Sequence, residues 1–138
     1  MTPRPLATRH WRVCNYEGAL NASIAAAMIR LTDPKATDCF LNIACGSGTL
    51  MIERERHSNA KSIIGCDISR DALLCAESNA SEAKMKYGQY ISSDGIQLPL
   101  ASRSVDKLAS DLPFGQLVGS HDENEWLYPA ILSEAGRV

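Results

Sequence analysis

Apolar positions along this chain fall into two patterns that alternate, short unbroken runs and stripes at helical spacing. The runs are CFLNI (Cys39 to Ile43), SIIGCD (Ser62 to Asp67), YGQYISSD (Tyr87 to Asp94) and SVDKLASD (Ser104 to Asp111). A short continuous run bounded by turn residues predicts a strand buried on both faces. The stripes lie between and around them. Asn21 or Ser23 caps a helix through Ala25 to Leu31 that Asp33-Pro34 stops, and LMIERERH (Leu50 to His57) follows a glycine turn. Ser69 caps RDALLCAESNASEAK, whose Ala72, Leu73, Ala76 and Ala83 share a face, and a last helix spans Asn124 to Glu134 and is closed by Gly136. Strands alternating with helices predict an α/β fold on a parallel sheet with right-handed crossovers.

All four runs end on polar signatures: Asn42 through Gly48, Asp67, Asp94 and Asp111. In an open parallel sheet, ligands bind beyond the carboxyl ends of the strands where the strand order reverses. The four signatures are therefore expected to form one site.

The loop NIACGSGT carries two glycines, Gly46 and Gly48, which let the backbone turn sharply and aim the amides of a helix start at a ligand. The dinucleotide fingerprint G-x-G-x-x-G is incomplete, because Met51 stands at the third glycine position. Asp67 lies 21 positions after Gly46, where a strand-end carboxylate accepts hydrogen bonds from ribose hydroxyls; a turn acid would also stand there. That distance suits NAD and S-adenosylmethionine equally. Asp94 before Gly95 either accepts from an adenine amino group or forms an Asx turn.

The fourth run ends in SDLPFG. Asp111 and the carbonyl of Leu112 can accept both hydrogens of an exocyclic amine, Pro113 fixes the direction of that carbonyl, and Phe114 can stack on a flat base. Two acceptors on an amine favour a pyramidal nitrogen whose lone pair points at an electrophile, and Asp111 can take the released proton. A proline-glycine turn with Phe114 in the core is the bland alternative.

Composition narrows the class. The chain has 138 residues, 45% hydrophobic and 22% charged, which fits one globular domain spanning 1–138. A net charge of -2 gives no global basic field for nucleic acid; the local excess is Arg4, Arg9, His10 and Arg12. The longest apolar stretch, Ile24 to Ile29, is far short of the roughly 20 residues that span a bilayer. Five cysteines (14, 39, 45, 66 and 75) without C-x-x-C or Cys/His spacing indicate neither a disulfide framework nor a metal site, so reduced thiols and a cytoplasmic location are expected.

Taken together, FLNIACGSGTLMIE, GCDIS, SSDG and SDLPFGQLVGSHDENEWLYPAIL resemble the catalytic domain of the THUMP-associated RNA methylase family, particularly its tRNA guanine-N2 methyltransferases. YEGALNASIAAAMIRL is similar to the family's first cofactor-contacting helix and its approach. The resemblance implies a Rossmann-like S-adenosylmethionine-dependent methyltransferase fold, here ending after strand four and its helix. It implies cofactor contacts at Gly18, Ala19 and Leu20, at Asn42 and Ala44, Cys45, Gly46, Ser47, Gly48 and Thr49, at Asp67 and Ile68, and at Asp94 and Gly95. Asp111, Leu112, Pro113 and Phe114 would hold the target amine of a base turned out of its stack. Three positions depart from the family pattern: Asn42 replaces an acid, Ile43 a proline, and Gln116 a basic residue.

The expected function is methylation of an exocyclic base amine, guanine N2 in tRNA first and adenine N6 of RNA or DNA as an alternative. RNA would be captured by a domain absent from these 138 residues. The bare sheet edge would suit a protein partner or self-association, and a non-catalytic cofactor-binding module or truncated isoform is the rival from another class. A dinucleotide oxidoreductase leaves Asp111 to Phe114 without a role.

Overall fold

The computed structural model describes residues 5, 7–112 and 121–138. Among them the elements run α1 (Ala22–Leu31), β1 (Cys39–Ile43), α2 (Thr49–His57), β2 (Ser62–Asp67), α3 (Arg70–Glu82), β3 (Gly88–Ser92), β4 (Lys107–Leu108) and α4 (His121–Arg137). The sheet has the order β3-β2-β1-β4, and every pairing is parallel. The expected α/β architecture is present.

Alternation along β1 explains why its run is unbroken. Phe40, paired with Ile63, faces a core that also holds Ala25 and Ile29 of α1, Leu50 and Met51 of α2 and Leu73 of α3. Cys39, Leu41 and Ile43 face a second core with Ile64, Cys66, Leu98, Ile131 and Val138. All five β1 residues are therefore buried, as a strand covered on both faces must be. Gly65, opposite Asn42 in β2, lets α2 approach closely: a Cβ there would sit 2.2 Å from Met51 Sδ and 3.1 Å from Cys45 Sγ.

Asn21 is the α1 cap, its side chain accepting from the amides of Ser23 and Ile24, and Ser69 caps α3 through the amide of Ala72. Arg54, fully buried in α2, donates to the carbonyls of Lys35 (2.7 Å), Ser58 (3.0 Å) and Asn59 (3.3 Å) and lies 3.8 Å from the Asp38 carboxylate. It thereby ties the far end of α2 to the entry of β1.

Three expectations need correction. The run Ser104 to Asp111 pairs as a strand only at Lys107 and Leu108, because the ladder beyond Leu41 is taken over by side chains: Asn42 Nδ2 donates to the Ala109 carbonyl at 3.1 Å and Ser110 Oγ to the Ile43 carbonyl. Gly136 does not close the last helix, which continues to Arg137. That turn is held by Arg137, which donates to Glu134 and to the carbonyls of Leu98 and Leu100, while Glu134 also accepts the Leu98 amide at 2.6 Å. Those bonds hold the Glu134 carboxyl down at about 2. Finally, Cys14 and Cys75 form a disulfide across 61 positions, whereas Cys39, Cys45 and Cys66 are free and buried. No helix of the described residues is long and apolar enough to cross a membrane.

Candidate functional site

The strand order reverses between β1 and β4, so the crevice at the switch point lies beyond the ends of these two strands. It is lined by Glu17, Gly18, Ala19, Leu20, Asn42, Ala44, Cys45, Gly46, Ser47, Thr49, Leu50 and Asp111. Ten of these were candidate site residues from the sequence; Glu17 and Leu50 were missed, although both adjoin motifs that were read.

The floor is the turn from β1 into α2. Ala44, Gly46 and Gly48 all have positive φ (52°, 52° and 79°), which glycine adopts freely and alanine only with strain. Gly48 caps α2 with no side-chain hydrogen bond, so the first amides of the helix, at Thr49 and Leu50 in the lining, have no side-chain cap. A Cβ on Gly48 would come within 3.1 Å of Ala76 Cβ, so the glycine also serves the close packing of α2 on α3.

Asn42 is 1% exposed, and its amide orientation follows from two donated bonds, to the carbonyls of Ile43 and Ala109. Its Oδ1 is buried with no partner among the described residues, an orphan acceptor on a residue that lines the crevice. A buried unpartnered amide oxygen costs stability unless a ligand donor reaches it. Together with the bond from Ser110 Oγ to Ile43, Asn42 staples the exit of β4 to the exit of β1, fixing Asp111 relative to the glycine loop.

The electrostatics are one-sided. Among the described residues two carboxylates, Glu17 and Asp111, line the crevice and no lysine or arginine does. Arg12, half-buried behind the wall, donates to the Leu20 carbonyl and to Thr49 Oγ1, both at 2.9 Å. Asp111 is an exposed residue, and the partial burial it does have raises its carboxyl above the ordinary range. Burial, then the neighbouring Asp67, pushes the Cys45 thiol far up, so no reactive thiolate forms there.

The remaining candidates among the described residues do not line the crevice. Asp67 spends both carboxylate oxygens on the backbone, Oδ2 accepting from Gly46 and Oδ1 from Ser69, each at 2.9 Å. Ile68 beside it is 75% exposed. Asp94 accepts from the Ile96 amide at 3.1 Å, the Asx turn weighed from the sequence, and does not line the crevice. Leu112 packs part-buried against the second core, while Pro113 and Phe114 lie outside the described residues, as does Gln116. Gly95 has φ of 80° and its Cβ would meet Ile43 Cγ2 at 2.6 Å. Gly95→Ala is therefore expected to cost about 1–3 kcal/mol of stability, which chemical denaturation would measure; a loss under 0.5 kcal/mol would contradict the packing described.

Above the floor runs a strap, residues 9–20, that the sequence pattern did not reveal. Arg9 pairs with Glu53 at 2.8 Å, Trp11 is buried in a third cluster, and the Tyr16 hydroxyl donates to Ser69 Oγ at 2.9 Å. The basic residues Arg9 and Arg12 are thus engaged within the fold.

Comparison with known proteins gives the family. The chain is 35% identical over 131 residues to the tRNA (guanine(6)-N(2))-methyltransferase THUMP3 of Mus musculus, a match covering 86% of this chain and 26% of that protein. It is 36% identical over 98 residues to the U6 snRNA (guanine-N(2))-methyltransferase THUMPD2 of Homo sapiens, covering 70% of this chain and 20% of that protein. The chain thus spans about a fifth to a quarter of the length of these curated relatives. In fold it matches a putative S-adenosyl-L-methionine-dependent methyltransferase from Methanococcus maripaludis with a TM-score of 0.66 at 20% identity, over 84% of this chain and 49% of that one. The model of the RMKL-like methyltransferase domain matches residues 9–138, and the chain belongs to that family.

Proposed function

We propose that this chain is the S-adenosylmethionine-dependent domain of an RNA methyltransferase that methylates the exocyclic amine of guanine, at N2, in tRNA. The observation that carries the reading is the crevice itself: among the described residues it is lined by an orphan amide oxygen and two carboxylates and by no cationic side chain. Such a lining suits a cationic ligand and disfavours a pyrophosphate. S-adenosylmethionine, when bound, supplies a methyl group on a positively charged sulfur.

The residues present fit that cofactor. Asn42 Oδ1 and Glu17 are acceptors for an ammonium group, and the uncapped start of α2 suits a carboxylate. The enclosed space is only about 50 Å³, room for one end of the molecule, so the nucleoside end would lie along the open rim beside Asp67 and Ile68. Gly18, Ala19 and Leu20 form the opposite wall, and Asp94 and Gly95 are assigned to the adenine end. The Asp67 carboxylate, though already bonded twice, keeps lone pairs for ribose hydroxyls.

On the substrate side, Asp111 and the Leu112 carbonyl accept the two hydrogens of the amine, and Asp111 receives the released proton directly or through water. The roles of Pro113 and Phe114, orienting that carbonyl and stacking on the base, are carried by the sequence motif. RNA capture is assigned to parts of the protein outside these residues. The same acceptors would serve the adenine N6 amine, which keeps that substrate as the second reading.

Calorimetric titration of the full-length protein with S-adenosylhomocysteine and with NAD tests the cofactor assignment. Binding of the adenosyl ligand without NAD is expected; the reverse would remove the methyltransferase reading of this crevice.

A further inference from the structure

We propose that Asn79, which lines no part of the crevice, is a positioning residue that sets cofactor affinity by hanging both of its walls from one side chain. The inference rests on the methyltransferase reading above. Asn79 is on α3 and is 0% exposed. Its Oδ1 accepts from the amides of Val13 and Cys14, both at 2.9 Å, and its Nδ2 donates to the Cys14 carbonyl at 2.9 Å and to the Ser47 carbonyl at 3.1 Å. Val13 and Cys14 belong to the strap, whose continuation at Glu17 to Leu20 forms one wall. Ser47, 2% exposed, belongs to the glycine loop on the other side.

Only an amide of this length serves both sides. Two acceptor bonds and two donor bonds use the full capacity of asparagine, and the four partners are backbone groups that no side-chain substitution can adapt. A carboxylate would keep the two accepted bonds and face the carbonyls of Cys14 and Ser47 with like partial charge. The strap has other fasteners: the Cys14–Cys75 disulfide one helical turn away from Asn79, the Arg12 bonds to Leu20 and Thr49, and the Tyr16–Ser69 bond. Arg12 also joins the two walls, at Leu20 and Thr49, but none of these fasteners bonds the Ser47 backbone, which Asn79 alone among them holds to the strap.

The test is Asn79→Asp in the full-length protein, with its thermal transition measured to establish that it folds. Loss of two buried donor bonds is expected to weaken S-adenosylhomocysteine binding about tenfold. The KM for S-adenosylmethionine rises in parallel, while kcat at saturating cofactor stays within about twofold, because the reacting groups are untouched. Reducing the disulfide with dithiothreitol widens the gap from the wild type, since a second fastener at the same place is then lost. A folded Asn79→Asp protein with wild-type affinity, or one in which kcat falls and KM does not move, overturns the inference. If Asn79→Asp does not fold, Tyr16→Phe tests the same strap at its half-buried bond to Ser69: a severalfold weaker affinity at an unchanged melting temperature supports strap placement, and unchanged affinity contradicts it. Failure of the wild-type protein to bind the ligand would be a failure of the cofactor assignment, a separate result.

Discussion

Asp111→Ala is expected to lower methyl transfer to RNA at least ~100-fold, the scale seen when a positioned proton acceptor or a preorganised electrostatic partner is removed. S-adenosylhomocysteine binding should change only severalfold, because Asn42, Glu17 and the glycine loop remain. Full transfer by the variant would take Asp111 out of the role assigned to it. The pH profile gives an independent check. Partial burial raises the Asp111 carboxyl, and the ionised form is the one that accepts from the amine. Activity should therefore fall, as pH drops, at a value above the ordinary carboxylate range. The same shift fixes the sign of the stability effect: an acid whose folded pKa is raised binds protons more readily folded than unfolded, so its ionisation weakens the fold as pH rises. Asp111→Asn should accordingly be no less stable than the wild type at neutral pH while losing most of its activity, a trade typical of a catalytic group.

Arg54→Leu is expected to have the largest effect on stability, about 3–5 kcal/mol, through removal of a buried cation whose partners stay behind. The carbonyls of Lys35, Ser58 and Asn59 lose their donor and the Asp38 carboxylate its counter-charge. Calorimetric melting should show a fall of roughly 10 °C. Because α2 starts at the glycine loop and ends at this network, loss of cofactor binding should follow the unfolding curve and not precede it. A loss below about 1 kcal/mol would mean that the guanidinium, whose Nε has no partner, contributes little net stabilisation.

The strands that position the site were legible where burial on both faces wrote an unbroken apolar run, as in β1 and β2, and where a cap residue such as Ser69 marked a helix start. The crevice was legible for a related reason: strand ends that carry Asn42 or Asp111 stand out against apolar runs. Legibility failed where tertiary bonds replaced local pattern. SVDKLASD looks like an eight-residue strand, yet Asn42 and Ser110 take the backbone partners that a longer ladder would need. The strap has no periodicity, since its place depends on Asn79, Arg12 and a disulfide between positions 61 apart, and nothing in local spacing announces such a pair. Asn79 itself did leave a trace, a polar residue on the α3 stripe of Ala72, Ala76 and Ala83, but such a residue reads equally as a break in the stripe. Asp67 is the converse case: its position suggested a ribose contact, and the structure adds a second task, holding Gly46 and the α3 start in place.

The central claim is methyl transfer from S-adenosylmethionine to a guanine amine, and the most direct measurement is nucleoside analysis of the product. Full-length protein incubated with isotope-labelled S-adenosylmethionine and unmodified tRNA, followed by digestion and mass spectrometry, should place the label in N2-methylguanosine, at least ~100-fold more slowly in the Asp111→Ala reaction. Label in N6-methyladenosine, or no labelled base from a protein that binds S-adenosylhomocysteine, would contradict the account.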